Sequence, residues 1–499
     1  MQFWRNPEFV RLSRAEMRAP RAITMAVLAL VVCALVGLSC WGAVDESKDF
    51  FHLFHVWLVG IQFTVLGFWC ATACGHAISR ERELKTFDFL RTTRLTAMEL
   101  AVGKVFGAPI MAYFVVACTL PLSVGSGLLG GISPATLVGV YVLLVAFALF
   151  VSILSLWVSM LLEKSNSGLA VIVTLLPIGF GYTFTYSPFS GFSALSIFPA
   201  LFDFYNVRTG GQQFPPTVVG IEVPYLLLTL FLYGAFGAWF VLMLVRNLKK
   251  EREEMNLITG WQAIGFVAFL NILYYLFLDP KKLTMAFSSG SFRSQDAAGV
   301  ALSVNTMLLY MLGLALIGSR EKLKVWWRNM QAGHESFLAR NGLVWPWLLI
   351  GALVAYAFLA AEALGLQRAV PVSSWRLGIS AVIFFDLVVF VVRDITFLQW
   401  CTLTRMKRPL LKGFLYLWLY YVAVGIVTSV VGLASQSASA LVAGLLTPWQ
   451  IFGLESVGLA SAHPSYVGMA LQIAVTFLLI TTTTRRLGRA PTVPIEASA

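Results

Sequence analysis

Charged residues are scarce in this chain. They make up 12% of its 499 residues, whereas hydrophobic residues make up 58%. A soluble globular domain carries about 25% charged residues, and no long polar stretch here leaves room for a soluble catalytic domain. Because the apolar runs have the length of membrane-crossing helices, the composition predicts an all-α fold, namely a polytopic helical membrane protein.

Signatures of catalysis and of nucleotide binding are missing as well. The chain contains no G-x-x-x-x-G-K-[ST] loop, since Gly103-Lys104 is followed by Val105, and no H-E-x-x-H, G-x-S-x-G or C-x-x-C. A chain without the phosphate-binding loop cannot bind ATP in the P-loop manner. We therefore predict that the protein is not an enzyme and has no cofactor, and that any ATP hydrolysis belongs to a partner chain.

Cysteine and histidine are also few, with six and five residues. The cysteines lack the spacing of a disulfide framework or a zinc ribbon. Cys70 and Cys74 share a helix face, but a metal site needs more ligands than these two, so we predict none. His52 and His55 share a face at a predicted outer membrane edge, where we expect them to be solvated or to face lipid headgroups.

Twelve apolar runs are long enough to cross a bilayer as helices, which takes about 20 residues. Their predicted limits are 22–44, 53–78, 102–124, 135–162, 167–188, 223–245, 260–278, 298–318, 343–366, 376–399, 411–433 and 465–484. With the N-terminus inside, 29 of the 36 Lys and Arg residues fall in cytoplasmic segments, as the positive-inside rule requires. Five of the 29, Arg393 among them, fall in a second cytoplasmic loop predicted at 393–412. This distribution predicts a multi-pass plasma-membrane protein of the prokaryotic inner-membrane type, with both termini cytoplasmic, and it accounts for the net charge of +12 without nucleic acid.

Two further segments do not belong to these twelve. Residues 1–21 place five Arg between apolar side chains, which predicts a basic interfacial helix on the anionic cytoplasmic leaflet. Residues 437–462 are apolar but contain Pro448 and Glu455. We predict a re-entrant or interfacial hairpin there, on the outer side, and a full span is the alternative.

The interval from Ser79 to Lys104 is the longest clearly polar one in the first half of the chain. Leu84, Phe87 and Leu90 recur at helical spacing and form one predicted apolar face. Residues 96–99, Thr-Ala-Met-Glu, have the form of a capping box and predict the start of a new helix. The interval therefore predicts a short amphipathic helix, a turn and a capped return into the membrane, with a face that needs lipid or a partner protein to cover it.

The residues of this interval resemble the cytoplasmic loop of ABC-2-type transporter permeases. The pattern in that family is E-R-E-x-x-T-x-[DE]-x-L, followed by G-K at the start of the third span, and Lys85 stands here where the family usually has Gly. The residues concerned are Glu81, Arg82, Glu83, Leu84, Thr86, Phe87, Asp88, Leu90, Gly103 and Lys104. The resemblance implies that they form the coupling region that docks on an ATPase subunit.

The resemblance covers residues 1–250 and extends loosely into the second half. It implies the permease subunit of an ATP-driven ABC transporter of the exporting kind, with a separate ABC ATPase subunit and membrane lipids as partners, and it leaves open a second permease copy or a paralogue. We predict an ABC-2-like domain at 1–250, two linking helices within 251–325 and a degenerate second half at 326–499. The tripeptide Trp-Arg-Asn at 4–6 recurs at 327–329, which favours a duplication.

Intramembrane acidic residues suggest another class of function. Asp386 lies in the middle of the tenth predicted span and Glu362 in the outer part of the ninth. Buried charge in a span marks a transport path by default, although for Asp386 we favour a structural hydrogen bond or ion pair between helices. The alternatives are therefore an ion-coupled secondary transporter that uses Asp386 and Glu362, or a membrane scaffold with no substrate.

Overall fold

The described part of the chain is almost entirely helical. The computed structural model describes residues 6–44, 47–161, 172, 174–175, 179, 181–182, 190–205, 216–250, 258–277, 294–339, 342–369, 377–404, 406–447 and 466–488. The chain divides into two compact units. Unit 1 comprises Met1–Met255 and Phe277–Asp279, and unit 2 comprises Asn256–Leu276 and Pro280–Ala499.

Unit 1 is a helical bundle that begins with a short amphipathic helix. Its described α-helices are α1 (Pro7–Glu16), α2 (Ala19–Trp41), α3 (Ser47–Thr64), α4 (Cys70–Ala77), α5 (Ser79–Glu83), α6 (Phe87–Thr92), α7 (Ala97–Gly107), α8 (Ile110–Leu129), α9 (Pro134–Leu161), α10 (Ile197–Phe204) and α11 (Tyr225–Asn247). A π-helical turn over Val65–Trp69 joins α3 to α4. A two-residue antiparallel ribbon, β1 (Thr217–Val218) with β2 (Ile221–Glu222), precedes α11.

The core of unit 1 is the contact of α9 with α4 and α11. Ser152, Ser155 and Ser159 are all buried along α9, and small residues let membrane helices approach closely. The capping box predicted at the start of α7 is present, because the Thr96 hydroxyl accepts from the Glu99 N–H while the Glu99 carboxylate accepts from the Thr96 N–H. The chain breaks at Pro109 between α7 and α8, so the predicted span at 102–124 is two helices.

Unit 2 is a second set of helices. They are α12 (Gly260–Phe277), α13 (Ser294–Leu316), α14 (Arg320–Gln331), α15 (Trp345–Ala369), α16 (Leu377–Thr402), α17 (Pro409–Ala434), α18 (Gln436–Leu446) and α19 (Tyr466–Gly488). α14 bends 81° away from α13. α16 packs against α15, α17 and α19, so it is the central helix of this unit.

Eight helices among the described residues are long and apolar enough to cross a membrane, so the chain has the build of a helical membrane protein. The predicted number of twelve is not confirmed. The predicted span at 167–188 lies mostly outside the described residues. A second loop predicted at 393–412 is wrong in its first half, because α16 continues to Thr402.

The segment after α17 turns back on itself. α18 starts at Gln436 with Ser435 as its N-cap, and the Ser439 hydroxyl donates to the Thr428 carbonyl of α17 at 2.8 Å. α18 therefore runs antiparallel to the end of α17, and it covers the start of the predicted hairpin. The rest of that predicted hairpin, from residue 448 onwards, lies outside the described residues.

Candidate functional site

The polar interval of unit 1 forms a bent segment, residues 79–92, that we call the hook. It consists of α5 and α6 with a turn between them, in place of the single amphipathic helix predicted from the sequence. Lys85 adopts the left-handed conformation, with φ of 56°. The Thr86 N–H returns to the Glu81 carbonyl at 2.9 Å, which closes the turn in the manner of a helix C-cap.

Phe87 holds the base of the hook in the core of unit 1. Its side chain is 3% exposed and belongs to a cluster with Ile78, Leu100 and Met160. The Arg82 guanidinium lies 5.1 Å above the Phe87 ring and donates to the Met160 carbonyl at 2.6 Å. The prediction that Phe87 needs lipid or a partner to cover it is therefore wrong, since the protein's own core covers it.

The tip of the hook, in contrast to its buried base, is exposed. Leu84 is 63% exposed and Phe89 is 75% exposed, and Glu83 and Thr86 are exposed beside them. Leu84 and Phe87 therefore do not share one face, because the turn at Lys85 separates them. The side chains of Asp88 and Leu90 lie outside the described residues, so their predicted roles stay predictions.

Hydrogen bonds to α9 fix where the hook begins. The Ser159 hydroxyl accepts from the backbone N–H groups of Ile78 and Ser79, both at 3.1 Å. These two N–H groups belong to the orphan donors at the start of a helix. Ser159 therefore anchors the first turn of α5 to α9 without any contribution from solvent.

Four charged side chains join the hook to α1 and α7, and we call them the hook charge cluster: Glu8, Arg11, Glu81 and Lys104. The Lys104 ammonium lies 3.0 Å from Glu8 and 2.5 Å from Glu81. Arg11 donates to Glu8 at 2.8 and 2.9 Å and to Glu81 at 2.6 Å. Two carboxylates and two cations alternate, so the cluster is neutral as a whole.

Burial makes this pairing necessary. Lys104 is fully buried, the Glu8 side chain is 1% exposed and Glu81 is 14% exposed. Burial raises the pKa of Glu8, but the hydrogen bond from Arg11 and the charge of Lys104 outweigh it, so the pKa lies below its ordinary value. The hydrogen bond to Glu8 raises the pKa of Arg11, and the carboxylate and guanidinium both stay charged at neutral pH.

The Gly103-Lys104 pair allows α1 to pack against α7 beside the hook charge cluster. A Cβ on Gly103 would lie 2.7 Å from the Glu8 Cβ, and a Cβ on Gly107 would lie 3.0 Å from the Leu12 Cβ. Asn6 caps α1 and donates to the Glu99 carbonyl at 2.7 Å. Gly103 lets α1 approach α7 closely, and Lys104, the next residue, supplies the positive charge that pairs with Glu8. Sequence reasoning missed this role of α1, although Glu8 among its arginines was the available signal.

The two acids predicted for a transport path are less defined. Asp386 lies in α16, and its Oδ1 is buried with no hydrogen-bond partner in the described part of the chain. The side chain of Glu362 lies outside the described residues. The relay between the two acids therefore stays a prediction.

Sequence reasoning missed a second buried charge cluster, which we call the inner cluster: Arg393, Asp394, Tyr310, Tyr420, Tyr421 and Gln472. Arg393 Nε donates to Asp394 at 2.8 Å, and its other nitrogens donate to Gln472 at 2.6 Å and to Tyr421 at 2.9 Å. Asp394 Oδ2 accepts from Tyr421 at 2.5 Å and from Tyr310 at 2.8 Å. Arg393 was predicted to lie in a cytoplasmic loop, which is wrong, because it is buried inside α16.

The prediction for the histidine pair is wrong for His55. This side chain is fully buried, its Nδ1 lies 2.7 Å from the Ser123 carbonyl and its Nε2 lies 2.8 Å from the Tyr205 hydroxyl. The two bonds tie α3 to α8 and to the residue after α10. His55 is therefore a packing residue of unit 1 and does not face headgroups.

Comparisons with known proteins add no family to this geometry. No protein-family model, no curated protein and no solved structure matches the chain. The resemblance of the hook to ABC-2-type permeases therefore stays a prediction.

Proposed function

We propose that the chain is the permease subunit of an ATP-driven ABC transporter of the exporting kind, energised by a separate ATPase subunit. The observation that carries this proposal is the contrast within the hook, whose base is locked into unit 1 and whose tip exposes Leu84 and Phe89. Large apolar residues at a helical turn, rimmed by acidic and polar side chains, suit a groove on a partner protein.

The base of the hook connects the tip, where the partner would bind, to other helices of unit 1. A displacement of the tip acts on α9 through Ser159 and through the Met160 carbonyl that Arg82 binds. It acts on α7 and α1 through the link from Glu81 to Lys104 and Arg11. ATP binding in the partner would therefore move three elements of unit 1 together, which is the movement that alternating access needs.

Co-purification with a tagged ABC-type ATPase encoded nearby tests the proposal. The variant is Leu84→Glu with Phe89→Glu, which changes the exposed tip and leaves the buried Phe87 in place. Each side chain contributes roughly 1.5 kcal/mol if it is buried in the complex, so the pair should lower the affinity by about 100-fold. ATP-dependent transport in proteoliposomes should fall in parallel.

Met98→Glu is the matched control, because Met98 is an exposed apolar residue at the start of α7, off the hook. It should co-purify with the ATPase as the wild type does. If the double variant of the tip co-purifies at wild-type yield and transports normally, the hook is only an interfacial anchor and the proposal fails.

Ion-coupled secondary transport is the second candidate, and it rests on the buried Asp386 Oδ1 without a described partner. An unpaired acceptor inside a span suits a proton or a cation. Asp386→Asn keeps the size and hydrogen-bonding capacity of the side chain and removes the charge. ATP-driven transport should survive this change, whereas loss of uptake driven by an imposed proton gradient, at normal membrane abundance, would favour the second candidate.

A further inference from the structure

α14 lies across one end of unit 2 and is held there by the protein. It bends 81° from α13, and its buried Leu323 and Trp326 pack with Leu343, Leu403 and Leu487. These partners lie two residues before α15, directly after α16 and at the end of α19. Leu323 and Trp326 of α14 are thus covered inside the unit.

This end of unit 2 has a large excess of positive charge. We call it the basic platform, and its described basic residues are Arg320, Lys322, Lys324, Arg328, Lys407, Arg408, Lys412, Arg485 and Arg486. The described acidic residues of the same segments are Glu321 and Glu335. Arg328, Lys407 and Arg485 are exposed. In contrast to the hook charge cluster, basic side chains here far outnumber the acids.

Buried nitrogen donors without partners lie at the same end of unit 2. The indole Nε1 atoms of Trp327, Trp345 and Trp400 and the Nε of Arg320 are buried and have no hydrogen-bond partner in the described part of the chain. Trp327 and Trp345 pack against the core that holds α14, and Arg486 lies 4.1 Å above the Trp400 ring. All four groups can only donate, so they add donors, and no negative charge, to this end of unit 2.

We propose that the basic platform binds the phosphate headgroups of anionic glycerophospholipids. The site lies at the ends of membrane-length helices, where a headgroup phosphate brings both negative charge and acceptor oxygens. Tryptophan is characteristic of helix ends at the headgroup level, and Lys and Arg clusters beside membrane helices attract anionic lipids. The inference is independent of the proposed ATPase partner, since it concerns unit 2 alone.

Lipid titration of the delipidated full-length protein in a neutral detergent tests this inference. Native mass spectrometry would count bound phosphatidylglycerol, with phosphatidylcholine as the zwitterionic comparison. We expect tighter binding of phosphatidylglycerol. The triple variant Arg328→Gln, Lys407→Gln and Arg485→Gln should weaken it by about 100-fold, at about fivefold for each charge removed, and leave phosphatidylcholine unchanged.

Two single variants give a matched control. Lys407→Gln removes one exposed charge of the basic platform, and Lys48→Gln removes one exposed charge at the start of α3 in unit 1. Only Lys407→Gln should weaken phosphatidylglycerol binding, whereas Glu321→Gln should strengthen it. Equal binding of both lipids, or wild-type binding by the triple variant with a normal elution profile, would overturn the proposal. Displacement of the lipid by millimolar inorganic phosphate would overturn it too, because the site would then take free anions.

Discussion

The hook charge cluster of unit 1 and the inner cluster of unit 2 each bury a basic side chain, Lys104 and Arg393, but they stabilise it differently. The first alternates two carboxylates with two cations at the edge of the bundle, and its Arg11 side chain is 49% exposed. The second has one carboxylate for one guanidinium, and neutral hydroxyl and amide groups complete it. Arg393 lies nine residues before the end of α16, about 14 Å along the helix.

This difference means that the hook charge cluster can loosen, whereas the inner cluster cannot. Water can reach Arg11 and Glu81 if the hook moves, so part of the lost pairing can be replaced by hydration. The inner cluster ties α13, α16, α17 and α19 together, and Tyr420 and Gln472 also donate to the Leu446 and Leu445 carbonyls at the end of α18. Those carbonyls have no intrahelical partner, so the inner cluster also supplies hydrogen-bond donors to the C-terminal end of α18.

The largest expected effect comes from breaking the inner cluster. Asp394→Ala leaves Arg393 buried without its counter-charge and should cost about 3–5 kcal/mol of stability. The loss of stability is measured by heating the protein in detergent and recording the fraction that remains monodisperse. The double variant Arg393→Met with Asp394→Leu should recover most of the loss, because no buried charge remains. If the single and double variants are equally unstable, packing rather than charge pairing dominates this site.

Breaking the hook charge cluster should cost less. Lys104→Met removes the cation between Glu8 and Glu81, but Arg11 still contacts both carboxylates, so we expect a loss of about 2 kcal/mol. The same unfolding assay applies, and a decrease in ATPase co-purification should accompany it because the hook loses its link to α7. A loss as large as that of Asp394→Ala would contradict the comparison.

Acid should weaken the hook selectively. The pKa of Glu8 is lowered in the folded protein, so its contribution to stability is complete above the ordinary pKa of about 4.3. It is lost as the pH falls below that value towards the lower folded pKa. Unfolding curves between about pH 6 and pH 3 should show this dependence, and Glu8→Gln should flatten it. A dependence that Glu8→Gln leaves unchanged would assign the acid sensitivity to other groups.

The smallest effect concerns the turn of the hook. Lys85 has φ of 56°, a conformation that costs a residue with a Cβ about 1 kcal/mol and glycine almost nothing. Lys85→Gly should therefore stabilise the protein by about 1 kcal/mol, and Lys85→Val should destabilise it. Thermal unfolding of the two variants measures the sign. The left-handed turn also gives a physical reason why glycine is usual at this position in the family that the hook resembles.

Local patterns were the part of the structure that the sequence could predict. The capping box of Thr96 and Glu99 depends on two residues three positions apart, and the structure contains it. The polar interval between two apolar runs was also predictable, because it too depends only on residues that are close together in the chain. The fate of Phe87 was not, because an apolar residue at helical spacing fits a core, a lipid surface and a partner groove equally well.

The sequence by itself determined that the chain folds into membrane-length helices with a polar, capped interval after the second of them. Hydrophobic run length and short-range capping are local, so no tertiary information is needed for them. Only the tertiary structure decided that Phe87 is buried, that Glu8 reaches Lys104 and that Arg393 is buried among polar partners. Gln472 lies 79 residues away from Arg393 in the chain, and a charge is tolerated at such a place only when folding brings distant partners to it.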